Sequence, residues 1–388
     1  LTRGGKSLLG FDDEMIRKEF FKGIRYPYIT NASPNKRHDG INIARAAYAV
    51  DSSVLKTEIN EKKNPVFKLE SLARENGFDS SDAHSALVDS ELVVKILSLI
   101  KKKQPETWND FLKTANKLDT ETIFKTKDMI TLNEYFYGKS RLYLCAPLHQ
   151  KYCIHPIYQW GQAVDLRVEI EPLLKMSINE LKLEMKKTPK FLRTIRSNKA
   201  PIILDAKYGM KVEPYNVMDK NLIIKRAKMV RENEKFSKDI LTALREIAEE
   251  KEQSKSQEDI YAEESIYKKF TSNKDTALFP AWHNANFKDK LKLLSKFDDE
   301  RLVMFGQKII YQEAPEVLPP DLLKKIRISI AKRILSTNKE KWWTIPTAMV
   351  EIDTLRDKYT DENDQEKLKF LDDLDQHIQS IQIKYENF

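Results

Sequence analysis

Apolar residues recur at helical spacing over residues 13–22, where Met15, Ile16, Phe20 and Phe21 share one side, and the Tyr26-Pro27-Tyr28 step ends the run. Residues 41–50 and 68–76 predict two further helices, the second closed by Gly77 where a C-terminal stop belongs. Asp79, Ser80, Ser81 and Asp82 offer N-caps for a long helix over 83–102. From about 131 to 171 the pattern changes to short runs rich in Tyr, Ile, Val and Leu. Strands are predicted over 141–145, 152–154 and 163–170, with another at 200–204, separated by Pro, Gly and His turns. Helices over 178–187 and 222–231 are interleaved. A charged stretch without aromatics, 249–259, is either the solvated end of a helix or a connection between domains. Beyond 262 helical patterns return at 288–297, 299–311, 321–335, 348–359 and 364–385, and the whole reads as an α+β chain with no internal repeat.

Composition narrows the class. At 388 residues there is room for two or three domains, and 41% hydrophobic with 32% charged residues excludes a disordered chain. No run approaches the roughly 18 apolar residues of a membrane span, and no apolar segment follows Leu1–Ser7, so neither a membrane protein nor a signal peptide is expected. Two cysteines, Cys145 and Cys153, imply no disulfide framework, and a cytoplasmic protein is the default. The net charge of +8 favours polyanionic partners.

Several groups of residues could carry chemistry. Phe11-Asp12-Asp13-Glu14 lies at the start of the first helix, where the aspartate taken alone reads as an N-cap. His84 sits near the start of a helix and Asp89 a turn and a half further in. They share a site only if His84 reaches over from the loop end; otherwise they are a half-buried histidine beside a solvated acid. Lys186, Lys187, Lys190, Arg193, Arg196 and Lys199 form a dense basic run suited to phosphates, and Lys225–Arg231 forms a second that reads as a solvated helix face. Cys145, His149, Cys153 and His155 lie close in sequence, but their spacing fits no common zinc site. Trp342 and Trp343 read as helical core.

Taken together, Phe11-Asp12 and His84-x-Ala86-x-x-Asp89 resemble the second and third motifs of the histidine-bearing branch of the DEDD exonucleases. Further collinear segments are similar to bacterial exonuclease I: Arg37-His38-Asp39, Arg45–Ala49, Phe67–Leu72, Ala146-Pro147-Leu148, Val164-Asp165-Leu166, Asn198–Ile202, Ile266–Phe270 and Phe297–Leu302. The resemblance runs from about residue 10 to the end. It implies a partial RNase H-like exonuclease domain over 1–105, an SH3-like β domain with helical insertions over 106–258 and a C-terminal helical domain over 262–388. It further implies 3′→5′ hydrolysis of single-stranded DNA in repair and recombination. Phosphodiester hydrolysis of this kind uses two divalent cations about 4 Å apart, caged by carboxylates, with an imidazole to deprotonate water. The resemblance therefore assigns Asp12 and Asp89 as ligands of Mg²⁺, with Mn²⁺ able to substitute, and His84 as the general base. Arg45 and the basic run 186–199 are expected to contact DNA. The implied partners are single-stranded DNA and single-stranded-DNA-binding protein, with a monomeric chain.

One departure bears on activity. The family's first acidic motif, Asp-x-Glu, belongs on a strand well before Phe11, and residues 1–10 contain no acid. Asp13 and Glu14 do not replace that strand. This chain is accordingly expected to be inactive or nearly so. The alternative to an enzyme is a non-catalytic module that holds single strands or partner proteins. A proofreading or oligoribonucleotide nuclease shares the short motifs but has no need of the long C-terminal two-thirds.

Overall fold

The computed structural model describes residues 12–30, 32, 35–81, 85–253 and 261–388, and Asp12 by its backbone alone. The chain divides into two compact units, one of residues up to 17 with 28–259, the other of residues 18–27 with 260–388.

In the first unit helices come first: α1 (Asp12–Lys22, whose second half belongs to the other unit), α2 (Gly40–Val50), α3 (Leu69–Glu75), α4 (Ala86–Lys103), α5 (Pro105–Leu112) and α6 (Lys117–Thr126). Strands β1 (Ile130–Phe136), β2 (Lys139–Pro147), β3 (Gly161–Asp165), β4 (Leu192–Ile195) and β5 (Ile202–Leu204) form one antiparallel sheet of order β4-β3-β2-β1-β5. Between and after them lie α7 (Ile170–Lys175), α8 (Ile178–Glu184), α9 (Ala206–Gly209), α10 (Lys220–Glu232) and α11 (Glu234–Gln253).

Strand β5 shows how the sheet is covered on both sides. Ile202 and Leu204 join a core with Ile43, Ala47 and Ile96 of α2 and α4, while Ile203 between them joins a core with Ile223, Val230 and Ile240 of α10 and α11. The alternation is the period-2 geometry of a strand. Asp39 starts α2 by accepting the Ile41 amide at 3.2 Å. Gly161 opens β3 because a Cβ there would stand 2.3 Å from the Phe124 ring of α6.

The second unit is helical: α12 (Asn273–Asn284), α13 (Phe287–Leu294), α14 (Glu300–Glu313), α15 (Pro320–Ile334), α16 (Ile345–Asp361) and α17 (Gln365–Tyr385). Its core gathers Phe21, Ile24, Phe279, Trp282, Phe297, Leu302 and Phe305.

The structure corrects the sequence reading in four places. Residues 152–154 form no strand and contribute only a bridge from Ile154 to Gly161. Strand β3 stops at Asp165, whose carboxylate accepts the Arg167 amide and turns the chain toward α7. The basic run contains a strand, β4, which its charge conceals. Trp342 and Trp343 lie outside any helix; Trp343 is 66% exposed, and Trp342 donates to the Arg333 carbonyl at 3.0 Å. The charged stretch begins as the last turn of α11, and its residues 254–260 lie outside the described ones.

Candidate active site

Helices α1 and α4 carry the residues assigned to metal binding, Asp12 and Asp89. Asp12 is the first residue of α1, and its side chain lies outside the described residues, as does the whole of His84. Asp89 is half-buried in the first turn of α4, its amide donating to the Ser85 carbonyl at 2.9 Å. Helix α4 is a fixed support: Leu92, Ile96 and Ile100 are buried, and Val93 and Leu97 pass Gly40 at the start of α2. Among the described residues no three His, Cys, Asp or Glu side chains are grouped to hold a metal ion. Asp89 is thus the one assigned ligand whose side chain is described.

Directly after Asp12 the chain builds an ionic cluster. Asp13 is 4% exposed and accepts from Arg17 Nη2 at 2.6 Å, from the Thr30 hydroxyl at 2.7 Å and from Arg37. Burial alone would raise the Asp13 carboxyl, but the Thr30 hydroxyl and the two guanidiniums outweigh it and hold the pKa below the ordinary aspartate value. Arg37 also donates to the Asn198 carbonyl at 3.3 Å, and Lys199 Nζ donates to Glu14 at 3.0 Å. The start of α1 is therefore tied to the β4–β5 connection by charge-assisted bonds. Sequence reasoning set Asp13 and Glu14 aside; only the pairing across the fold reveals their anchoring role. Beside this cluster His38 is half-buried and accepts the Asp39 amide on Nδ1 at 2.9 Å, and burial pushes its pKa down.

The expected DNA contacts separate into two groups. Arg193 is 8% exposed and committed to the interior: it donates to Glu134 at 2.8 Å and to Asp165 at 3.0 Å, and stacks 3.7 Å above the Tyr143 ring. Arg45 is half-buried with its guanidinium 3.6 Å from the Tyr135 ring centroid. Lys199 is half-buried on Glu14. In contrast Lys186, Lys187, Lys190 and Arg196 are exposed, Lys187 pairing with Glu184 at 2.6 Å within one turn and Arg196 lying 5.0 Å over Trp160.

The cysteine and histidine group is structural. Cys145 and Cys153 are buried, and burial pushes both thiols up. His155 accepts the Ile157 and Tyr158 amides on Nδ1.

Comparison with known proteins gives a consistent picture. Residues 259–381 match the exonuclease I C-terminal domain family. Exodeoxyribonuclease I of Haemophilus influenzae is 28% identical over 288 residues, covering 70% of this chain and 59% of that protein. The Buchnera aphidicola (Acyrthosiphon pisum) enzyme of the same name is 31% identical over 180 residues, 44% of this chain and 42% of its own. The chain thus spans less than two thirds of these relatives' length. The crystal structure of Escherichia coli exonuclease I in complex with a dA16 oligonucleotide matches with a TM-score of 0.73 at 20% identity, over 96% of this chain and 79% of that one. The structure of an ExoI/SSB-Ct complex matches equally well, with a TM-score of 0.73. At this identity the likeness shows the fold, a mixed α+β architecture as the residue pattern predicts.

Proposed function

The chain belongs to the bacterial exonuclease I family, and from that premise we propose that it is built to hydrolyse single-stranded DNA from the 3′ end to 5′-mononucleotides. The observation that carries this is the ordered pair of motifs, Phe11-Asp12 and His84-x-Ala86-x-x-Asp89, collinear with the C-terminal domain match at 259–381. In this reading Asp12 and Asp89 hold divalent cations, Mg²⁺ in the first place. A bound ion would supply Lewis-acid stabilisation of the phosphate. His84 takes the proton from the attacking water. The anchoring of α1 through Asp13 fixes the backbone that carries Asp12, and the packing of α4 fixes the helix that carries Asp89.

The three-domain division, with boundaries near 105 and 260, belongs to the same proposal, and the β4-β3-β2-β1-β5 antiparallel order supports an SH3-like middle domain. Lys186, Lys187, Lys190 and Arg196 serve as phosphate contacts, being exposed and basic. The ExoI/SSB-Ct complex supports single-stranded-DNA-binding protein as a partner. No helix of the described residues is long and apolar enough to cross a membrane, and a cytoplasmic setting is part of the reading.

A second reading, strand binding without hydrolysis, is favoured by one observation: Lys186, Lys187, Lys190 and Arg196 are exposed cations that can hold phosphates without a metal. The test is degradation of a 5′-labelled oligonucleotide with Mg²⁺, by this chain and by the chain supplied with an Asp-x-Glu strand at its N-terminus. The exonuclease reading expects stepwise shortening from the 3′ end by the supplemented form. Internal cuts, or no shortening by either form, overturn it.

A further inference from the structure

A stacked column stands at the edge of the sheet where β3 begins and β4 ends. His155 and Tyr158 lie 4.9 Å apart, Tyr158 and Trp160 stack at 4.6 Å with their planes 22° apart, and Arg196 caps Trp160 at 5.0 Å. The segment that carries it is stiff. The His155 amide donates to the Trp160 carbonyl at 2.8 Å, and the Gln159 amide returns to the His155 carbonyl at 3.0 Å. The His155 imidazole, 3% exposed, accepts the Ile157 and Tyr158 amides, both at 3.1 Å. Burial lowers the pKa of His155, which keeps Nδ1 free of a proton for that role. The ladder then fixes the cap, because Gly161, next to Trp160, pairs with Ile195, next to Arg196.

The column is buried at its root and open at its top. Tyr158 is 36% exposed, and Arg196 is exposed. Such an arrangement leaves aromatic edges and a guanidinium plane facing water on a scaffold already ordered, so a ligand stacking there meets little ordering cost. The rings cover one another within the column, so a flat π-system would extend it by stacking on the guanidinium plane that Trp160 supports, and the positive cap suits a polyanion. We infer that the Tyr158–Trp160–Arg196 column is a stacking platform for the bases of single-stranded DNA. This rests on the proposal that the chain handles single strands, and adds to it aromatic residues that neither the motifs nor the comparisons assign. Thr194, exposed two residues before Arg196 on the same strand face, extends the ledge, its hydroxyl held by Gln162 at 2.8 Å.

The experiment measures binding of the full chain to a labelled dA16 strand and to an abasic strand of the same length, with chelator present so that nothing is cut. The double variant Trp160→Ala, Arg196→Ala should bind dA16 about tenfold more weakly, the scale of losing one base–aromatic stack, and leave abasic binding within about twofold of its own charge control, Arg196→Ala. Trp160→Phe keeps a ring in the column; it should retain most affinity while abolishing part of the tryptophan fluorescence quenching that dA16 produces. Equal losses on both strands, or unchanged dA16 affinity in the double variant, overturn the platform and leave the exonuclease reading standing. A parent chain that binds neither strand overturns both.

Discussion

The two units solve the problem of a stable interior with different chemistry. The helical unit packs aromatics: Trp282 is 1% exposed, with Phe297 and Phe279 around it, and Gly306 lets Leu294 and Trp282 close over α14. Its prominent ion pairs, such as Glu263 with Lys308 and Arg333, lie toward the surface. Both units bury carboxylates, Asp275 and Asp299 in the helical one, but the sheet-bearing unit gathers more guanidiniums around its buried acids. Asp165 has no exposure at all and accepts from Tyr215 at 2.5 Å, Arg167 at 2.8 Å and Arg193 at 3.0 Å, and Asp13 gathers two guanidiniums near the start of α1. The lesson concerns basic residues in a chain proposed to handle DNA. A cation within a basic run can belong to the interior, and position in the fold decides which ones face a phosphate.

The largest expected effect comes from removing the buried acid. Asp165→Ala leaves Arg193 and Arg167 without a central counter-charge and should destabilise the chain by about 3–5 kcal/mol in urea unfolding. A smaller loss would mean that the network is better solvated than its burial indicates.

Next is Glu263 in the helical unit, whose carboxyl is held down to about 2 from the ordinary 4.5; burial opposes the shift, and Lys308 and Arg333 prevail. A depressed carboxylate stabilises the fold above its unfolded pKa, and that contribution fades as pH falls from 4.5 toward 2. Glu263→Gln should cost roughly 2 kcal/mol at neutral pH, less than the full shift implies because solvent screens these half-exposed pairs, and should flatten the melting temperature over that acid range.

Gly306→Ala comes third. Its Cβ would stand 2.3 Å from Leu294 and 2.8 Å from Trp282, an overpacking cost of about 1–3 kcal/mol readable by thermal melting.

The smallest effect on stability sharpens the contrast most. Lys187→Ala should change stability by less than about 0.5 kcal/mol yet lower the salt dependence of single-strand binding by nearly one unit in the log–log slope. Should Lys187→Ala leave the slope untouched, the exposed lysines would not be the phosphate contacts.

Much of this was legible in the chain. The helices α13 to α17 follow from apolar spacing, and α13, α14 and α15 lay their stripes on one shared core. Helix α12 is harder to see, since Pro280 sits inside it. Strand β4 hides because Arg193, a charged residue, occupies a buried position. The network that holds Arg193 joins positions 28 and 50 residues from Asp165, a separation at which no local pattern operates. The Asp13 cluster hides for the same reason, its partner Arg37 lying 24 residues away. On the functional side, His84 and Asp89 are assigned through motif resemblance alone, whereas Tyr158 and Trp160 carry no motif and emerge only from their stacking.

The most direct test of the account is the single-turnover rate of 3′-end hydrolysis for the Asp-x-Glu-supplemented chain with Mg²⁺, measured with Asp89 intact and as Asp89→Ala. If Asp89 holds a catalytic cation, the rate falls by on the order of a hundredfold or more while dA16 affinity in chelator is unchanged. A variant that hydrolyses at the parent rate would contradict the assignment of this helix to the active site.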